Sequence, residues 1–114
     1  MLFNRNRLRK KKDFEKVLKE GKSFREDSLV LKIKKNKLQE VRFGFIVSQK
    51  VSKKAVIRNK VKRRLREAVK EEINKIRKGF DIILISLPSI KGKDFQEIKT
   101  TIKKLFNKAK ILSL

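Results

Sequence analysis

The chain is predicted to be α+β: a small, mostly antiparallel sheet packed by three helices, in the order α-β-β-α-β-α with one further short strand. Three observations point there. Residues 28–34 and 41–48 alternate apolar and polar side chains at strand period. Residues 80–87, FDIILISL, are apolar on both faces, which suits a central strand covered on both sides. The run Lys53–Arg66, KKAVIRNKVKRRLR, has eight Lys or Arg among fourteen residues, no acid, and helical periodicity.

The elements follow in order. Residues 1–12 form a basic arm with Arg5, Arg7, Arg9, Lys10, Lys11 and Lys12, which in isolation would be disordered. A short helix is expected over 13–20, with Phe14, Val17 and Leu18 on one face, Asp13 as N-cap and Gly21 as stop. Residues 21–27 can add a short strand. The next strand, 28–34, directs Leu29, Leu31 and Ile33 one way and Val30, Lys32 and Lys34 the other. After a polar turn, Val41, Phe43, Phe45 and Val47 alternate with Arg42, Gly44, Ile46 and Ser48, and the two strands are expected to form an antiparallel pair. The basic helix is expected over 53–78, with Ser52 as N-cap and Gly79 as stop. Pro88–Lys93 is a turn. The last helix, 94–112, carries Phe95, Ile98, Ile102, Leu105, Phe106 and Ala109 on one face, with capping-box spacing at Asp94 and Glu97.

Within the basic helix, Val61 centres an apolar face. Ile57, Leu65 and Ala68 fall within about 40° of it at 100° per residue. Val69, Ile73 and Ile76 extend that side, while Asn59, Arg63, Arg66 and Lys70 fall opposite. One face can pack on a core while the other presents a comb of cations, the geometry for gripping a phosphate backbone from a rigid element.

Composition narrows the function. In 114 residues, 35 Lys and Arg stand against 12 acids, a net charge of +23, which attracts polyanions and repels itself when compact. That length suits one domain with one modest core. Nucleic acid is the leading partner, ahead of an anionic membrane surface or an acidic protein. The amino end lacks the apolar core of a secretory signal, and the longest apolar stretch is too short to span a bilayer, so a cytoplasmic protein with no membrane partner is expected. No obligate protein partner is predicted.

Side-chain chemistry narrows it further. Without His or Cys there is no imidazole base, thiol nucleophile or thiolate metal site. The carboxylates are scattered; Glu67 and Glu71 share a helix face as a charge-paired surface, and Asp81 opens a strand as a structural residue. No catalytic residue, metal ligand or protein-bound cofactor is predicted. Asn59 is either a surface filler or a bidentate contact to a base edge or sugar. Phe14 is either a core phenylalanine or a half-exposed ring that stacks on an unpaired base, in a cleft made electropositive by Arg9, Lys12 and Arg42.

The stretch KKAVIRNKVKRRLRE, Lys53 to Glu67, closely resembles the basic signature of the bacterial ribonuclease P protein component. NRLRKKKDFEKVLKEGKSF resembles that family's amino-terminal segment, VRFGFIVSQKVSKKAV its strand leading into the basic helix, and GFDIILI and the last helix fall in the expected places. The resemblance implies an α/β sandwich with a left-handed crossover through the basic helix. It also implies binding to a large catalytic RNA that carries the active site and its Mg2+ ions, in a holoenzyme that removes the 5′ leader of precursor tRNA. By position it assigns Lys53, Lys54, Arg58, Asn59, Lys60, Lys62, Arg63 and Arg66 to the RNA-binding helix. Arg9, Lys12, Phe14, Leu18, Lys32 and Arg42 are assigned to a leader cleft between the first helix and the sheet. Relatives often carry aromatics at the positions of Leu18 and Lys32, so leader binding here is expected to lean more on charge. The alternative is a general RNA-binding, ribosomal-protein-like module without a processing role; a third reading is a membrane-active cationic protein.

Overall fold

In the computed structural model, which describes residues 4–113, the doubly apolar run occupies the sheet interior, as its composition demands. The helices are α1 (Lys11–Glu20), α2 (Ala55–Glu72) and α3 (Phe95–Ala109); the strands are β1 (Lys22–Glu26), β2 (Leu29–Lys35), β3 (Arg42–Ile46) and β4 (Phe80–Ser86). The sheet order is β1-β2-β4-β3. β1–β2 and β2–β4 are antiparallel, and β3–β4 is parallel. The short strand after α1 is therefore present.

The expected antiparallel pair of β2 with β3 is not formed, because β4 lies between them. Placed at an edge, β4 would leave one row of apolar side chains and a full row of backbone donors and acceptors exposed. Its one charge is answered in the sheet: Asp81 stands between Lys34 of β2 and Arg42 of β3 in register.

Alternation divides the sheet into two faces. Leu29, Leu31, Ile33, Phe43, Ile82 and Leu84 meet Val61, Leu65, Ala68 and Val69 of α2 and Ile98, Ile102, Leu105 and Phe106 of α3. The opposite face carries a smaller core, in which Leu8, Val17 and Ile83 are buried and Phe14, Leu18, Ile46 and Ile85 pack around them. Each fully buried Leu or Ile stabilises the fold by about 1.5–3 kcal/mol relative to exposure.

Four helix boundaries differ by two residues or more from the sequence expectation. α1 begins at Lys11, not Asp13, and Lys10 occupies the cap position without a side-chain cap bond. Asp13 is unavailable as a cap because its carboxylate reaches Arg42 (3.4 Å). α2 begins at Ala55; the Ser52 hydroxyl accepts from Lys54 N–H (3.1 Å), two residues on, and closes the preceding turn instead of capping the helix. At its other end α2 stops at Glu72 and a 3-10 turn covers Ile73–Lys75, because Ile76 then pairs with Leu112 as an isolated bridge. Gly79, at φ +93°, serves the turn into β4 rather than the helix end. α3 ends at Ala109 rather than 112, and its capping box is formed: Asp94 accepts from Glu97 N–H (2.9 Å) and Glu97 from Asp94 N–H (3.2 Å).

The arm is seated on the sheet from Asn4 onward; its first three residues lie outside the described residues. The Asn6 amide donates to the Val41 carbonyl (2.8 Å), Leu8 N–H donates to the Phe43 carbonyl (2.8 Å), and Arg7 bridges to Phe43 in parallel. The exposed edge of β3 is thereby covered.

The bond from Leu8 also shows the hand of the crossover. Seen from the side of the Phe43 ring, with β3 running upward, the chirality of an L-residue turns the Phe43 carbonyl to the right. The arm that it bonds lies right, so β4 lies left, and α2 packs on the viewer's side. The β3–α2–β4 connection is therefore left-handed, against a rule obeyed by about 98% of such units.

Candidate nucleic-acid interface

α2 is held from beneath and from its entrance. Val61, Leu65, Ala68 and Val69 are buried, and Ile57 is half-buried, as periodicity predicts. Arg58 donates to the carbonyls of Ser52 (3.0 Å) and Lys53 (2.9 Å), tying the entry turn to the first turn of the helix. Arg64 donates to the Lys93 carbonyl (3.3 Å) on the side of α3.

The outer face is different. Lys53, Lys54, Asn59, Lys60, Arg63 and Lys70 are exposed, and Lys62 and Arg66 are half-exposed. Among the described residues, the nearby carboxylates that form ion pairs are engaged elsewhere: Glu71 with Lys99 (2.7 Å), Glu72 with Lys75 and Lys103 (both 3.5 Å), and Asp81 with Arg42. None pairs with Lys53, Lys54, Lys60, Lys62, Arg63 or Arg66. A row of like charges on a rigid scaffold repels itself until an anion arrives, which is the electrostatic signature of a phosphate-binding surface.

Arg66 lies at the edge of this comb, with its guanidinium 5.9 Å from the Phe45 ring centroid in a cation–π contact. There the comb meets a groove of about 360 Å³ that is lined by Arg7, Arg9, Phe14, Gly44, Phe45 and Arg66. Phe14 is half-buried, its ring laid so closely over Gly44 that an added Cβ would collide with Cζ. The sequence singled out Phe14, Arg9 and Arg66. It missed Arg7 and Phe45, since Phe45 reads as an ordinary inward residue of β3 until the strand is known to lie at the sheet edge.

The other residues assigned to the cleft have local duties. The Arg42 guanidinium forms a bidentate pair with Asp81 (Nε–Oδ1 2.8 Å, Nη2–Oδ2 2.7 Å) and reaches Asp13 with its third nitrogen. The hydrogen bond to Asp81 raises its pKa above the ordinary, already high value, although burial opposes this. Its positive charge is thus neutralised within the fold. The Asn36 amide also donates to Asp81 (2.8 Å). Lys32 donates to the Leu18 carbonyl (3.2 Å) at the end of α1, where a cation complements the helix dipole. Leu18 packs in the small core. Lys12 is exposed on α1. Among the described residues, the cations beside Phe14 that have no carboxylate partner are therefore the half-buried Arg7 and Arg66 and the exposed Arg9, whereas Arg42 is paired and Lys32 is bonded to a carbonyl.

Among the described residues, no group of three or more acidic side chains could hold a metal ion, and no helix is long and apolar enough to cross a membrane.

Fold and surface together define a small α+β sandwich that carries an unneutralised cationic helix on a left-handed crossover. The sequence model of the family described as Ribonuclease P matches residues 2–110. A relative from Clostridioides difficile, named ribonuclease P protein component, is 44% identical over 113 residues, covering 97% of this chain and 98% of that one. A Synechocystis protein of the same name is 36% identical over 93% of this chain and 86% of its own. Among solved structures, the ribonuclease P protein of Staphylococcus aureus superposes with a TM-score of 0.87 at 31% identity, covering 95% of this chain and 98% of that one. That of Thermotoga maritima gives 0.82 at 34% identity, covering 91% and 97%. The chain belongs to the ribonuclease P protein family.

Proposed function

We propose that this chain is the protein subunit of ribonuclease P, an endoribonuclease whose active site lies on its RNA subunit, and that it acts through two surfaces of a single RNA-binding domain. The outer face of α2 docks on the catalytic RNA and neutralises closely spaced phosphates. The groove between the arm, α1 and the edge of β3 holds the extended 5′ leader of precursor tRNA, stacking a base on Phe14 and pairing phosphates with Arg7, Arg9 and Arg66. Mg2+ on the RNA would supply the chemistry of phosphodiester hydrolysis; this chain's contribution is to bind and orient the leader so that the scissile phosphate is aligned. The observation that carries this reading is the acid-free run from Lys53 to Arg66, its outward cations unpaired with any carboxylate among the described residues.

The test is reconstitution. Added to the catalytic RNA at low magnesium, the chain is expected to restore cleavage of precursor tRNA to its mature 5′ end. RNA binding without restored cleavage would favour a general RNA-binding module instead. The leader surface predicts tighter binding of precursor than of mature tRNA, and equal affinity for both would refute it. With about six to ten phosphate contacts, affinity should fall roughly 10³–10⁵-fold between 50 and 200 mM salt, duplex DNA being the guide.

A further inference from the structure

A cavity of about 540 Å³ belongs to neither surface described above. It opens where α3 ends over the sheet, at the pole formed by the start of β1, the end of β2 and the start of β4. Its floor is on the sheet face that meets α2 and α3, and Glu20 at the end of α1 and Lys34 reach its rim from the other side; the Phe14 groove is lined by none of these residues.

Its floor is apolar, with Phe24, Ile33 and Phe80. Phe24 and Phe80 are only half-buried: they pack against the main core and remain partly open. Five lysines line the cavity against a single acid, Glu20. Two of the lysines are committed: Lys34 pairs with Glu20 (3.7 Å), and Lys108 with Glu26 (3.0 Å). Lys22, Lys35 and Lys110 are exposed and have no acidic partner among the described residues.

Lys110 is the more informative of these three. It caps α3 in the left-handed conformation, φ 56° and ψ 41°, where glycine is the favoured residue. Packing does not demand the side chain, which is exposed. A cation thus sits on the cavity rim at a position whose left-handed backbone favours glycine.

A ligand matched to this cavity has a flat or apolar body for the phenyl floor and negative charge for the three free ammonium groups. The geometry points to a second nucleotide site, in which a base lies on Phe24 and Phe80 while its phosphate is held by Lys22, Lys35 and Lys110. Aromatic stacking accepts any base, and ammonium groups bind phosphate as point charges without demanding one orientation, so the site selects a nucleotide unit rather than a sequence. A single RNA strand and a free nucleotide share this chemistry.

Residue-resolved NMR of the full chain separates the site from α2. Adenosine 5′-monophosphate and pentaadenylate are titrated separately, and the amide signals of Phe24, Phe80 and Lys110 are followed. Both probes are expected to move these signals. Tighter binding of pentaadenylate identifies a strand as the source, and equal binding a free nucleotide. The triple variant K22E/K35E/K110E should weaken binding at these signals about tenfold or more. K110G gives the sharper outcome: relief of the left-handed lysine should raise the melting temperature while nucleotide binding falls, a combination that a purely structural lysine cannot produce. K60E/R63E on α2 should leave these signals' response intact, so failure of the catalytic-RNA reading and failure of this one are distinguishable. Signals unmoved by both probes would overturn the proposal. So would oleate or an acidic peptide that occupies the cavity and is not displaced by the nucleotide.

Discussion

Arg42 shows how a residue's chemistry is decided by what stands opposite it. In sequence it is one cation among 35. In the fold it is fixed by two carboxylates, one of them the buried Asp81. Removing it as Arg42→Ala leaves Asp81 without its main counter-charge, and the expected cost is about 3–5 kcal/mol by urea denaturation. Arg42→Lys should recover only part of this, because an ammonium cannot reproduce the bidentate geometry. Two glycines form a second contrast. A Cβ at Gly21 would sit 2.5 Å from the Val17 carbonyl oxygen and 2.9 Å from that of Ile33, both backbone atoms. At Gly44 it would meet the far end of the half-buried Phe14 side chain, which can yield by rotation where backbone atoms cannot. Gly21→Ala should therefore fall at the upper end of the overpacking range, about 3 kcal/mol, and Gly44→Ala nearer 1 kcal/mol. Gly44→Ala should nevertheless weaken precursor-tRNA binding more than mature-tRNA binding, since the displaced ring is the proposed stacking platform. Equal weakening for both RNAs would remove Phe14 from that role.

At the scale of the element, α2 divides stability from function along its two faces. Leu65 is fully buried beneath it, and Leu65→Ala should cost about 2–5 kcal/mol. On the outer face K60E/R63E should change stability by no more than about 0.5 kcal/mol. The same variant should weaken binding to the catalytic RNA and make its salt dependence shallower, by about 0.9 in log–log slope for each phosphate that is no longer neutralised. Unchanged assembly of the RNA complex would separate α2 from docking. α3 depends on its first turn: Asp94→Ala removes one half of the capping box and should cost about 0.5–2 kcal/mol in thermal or urea unfolding.

For the molecule as a whole, charge sets the conditions of stability. With +23 on 114 residues and few acids to offset it, the compact state repels itself at low salt. Anions that bind the folded state raise stability by mass action, so melting temperature should climb with added sulfate more steeply than with chloride at equal ionic strength. A melting temperature indifferent to sulfate would contradict anion binding by the folded state. The topology, too, is a property of the whole. A basic arm that in isolation would be disordered occupies the outer edge of β3 from Asn4 onward, and the crossover to β4 takes the uncommon hand on the inner side.

Local periodicity and composition determined much of this. The alternation of β2 and β3, the doubly apolar β4, the two-faced α2 and the capped α3 depend on side chains at i, i+2 or i+3 and i+4, whose spacing is fixed by the backbone itself. The cation comb was legible for the same reason. Tertiary structure alone decided which strands pair, where the arm rests and which cations remain free, because each depends on partners distant in the chain. Arg42 and Asp81 are 39 residues apart, and Lys32 and Leu18 are 14 apart. Periodicity shows the face on which a charge stands; only folding brings up the carboxylate or carbonyl that neutralises it.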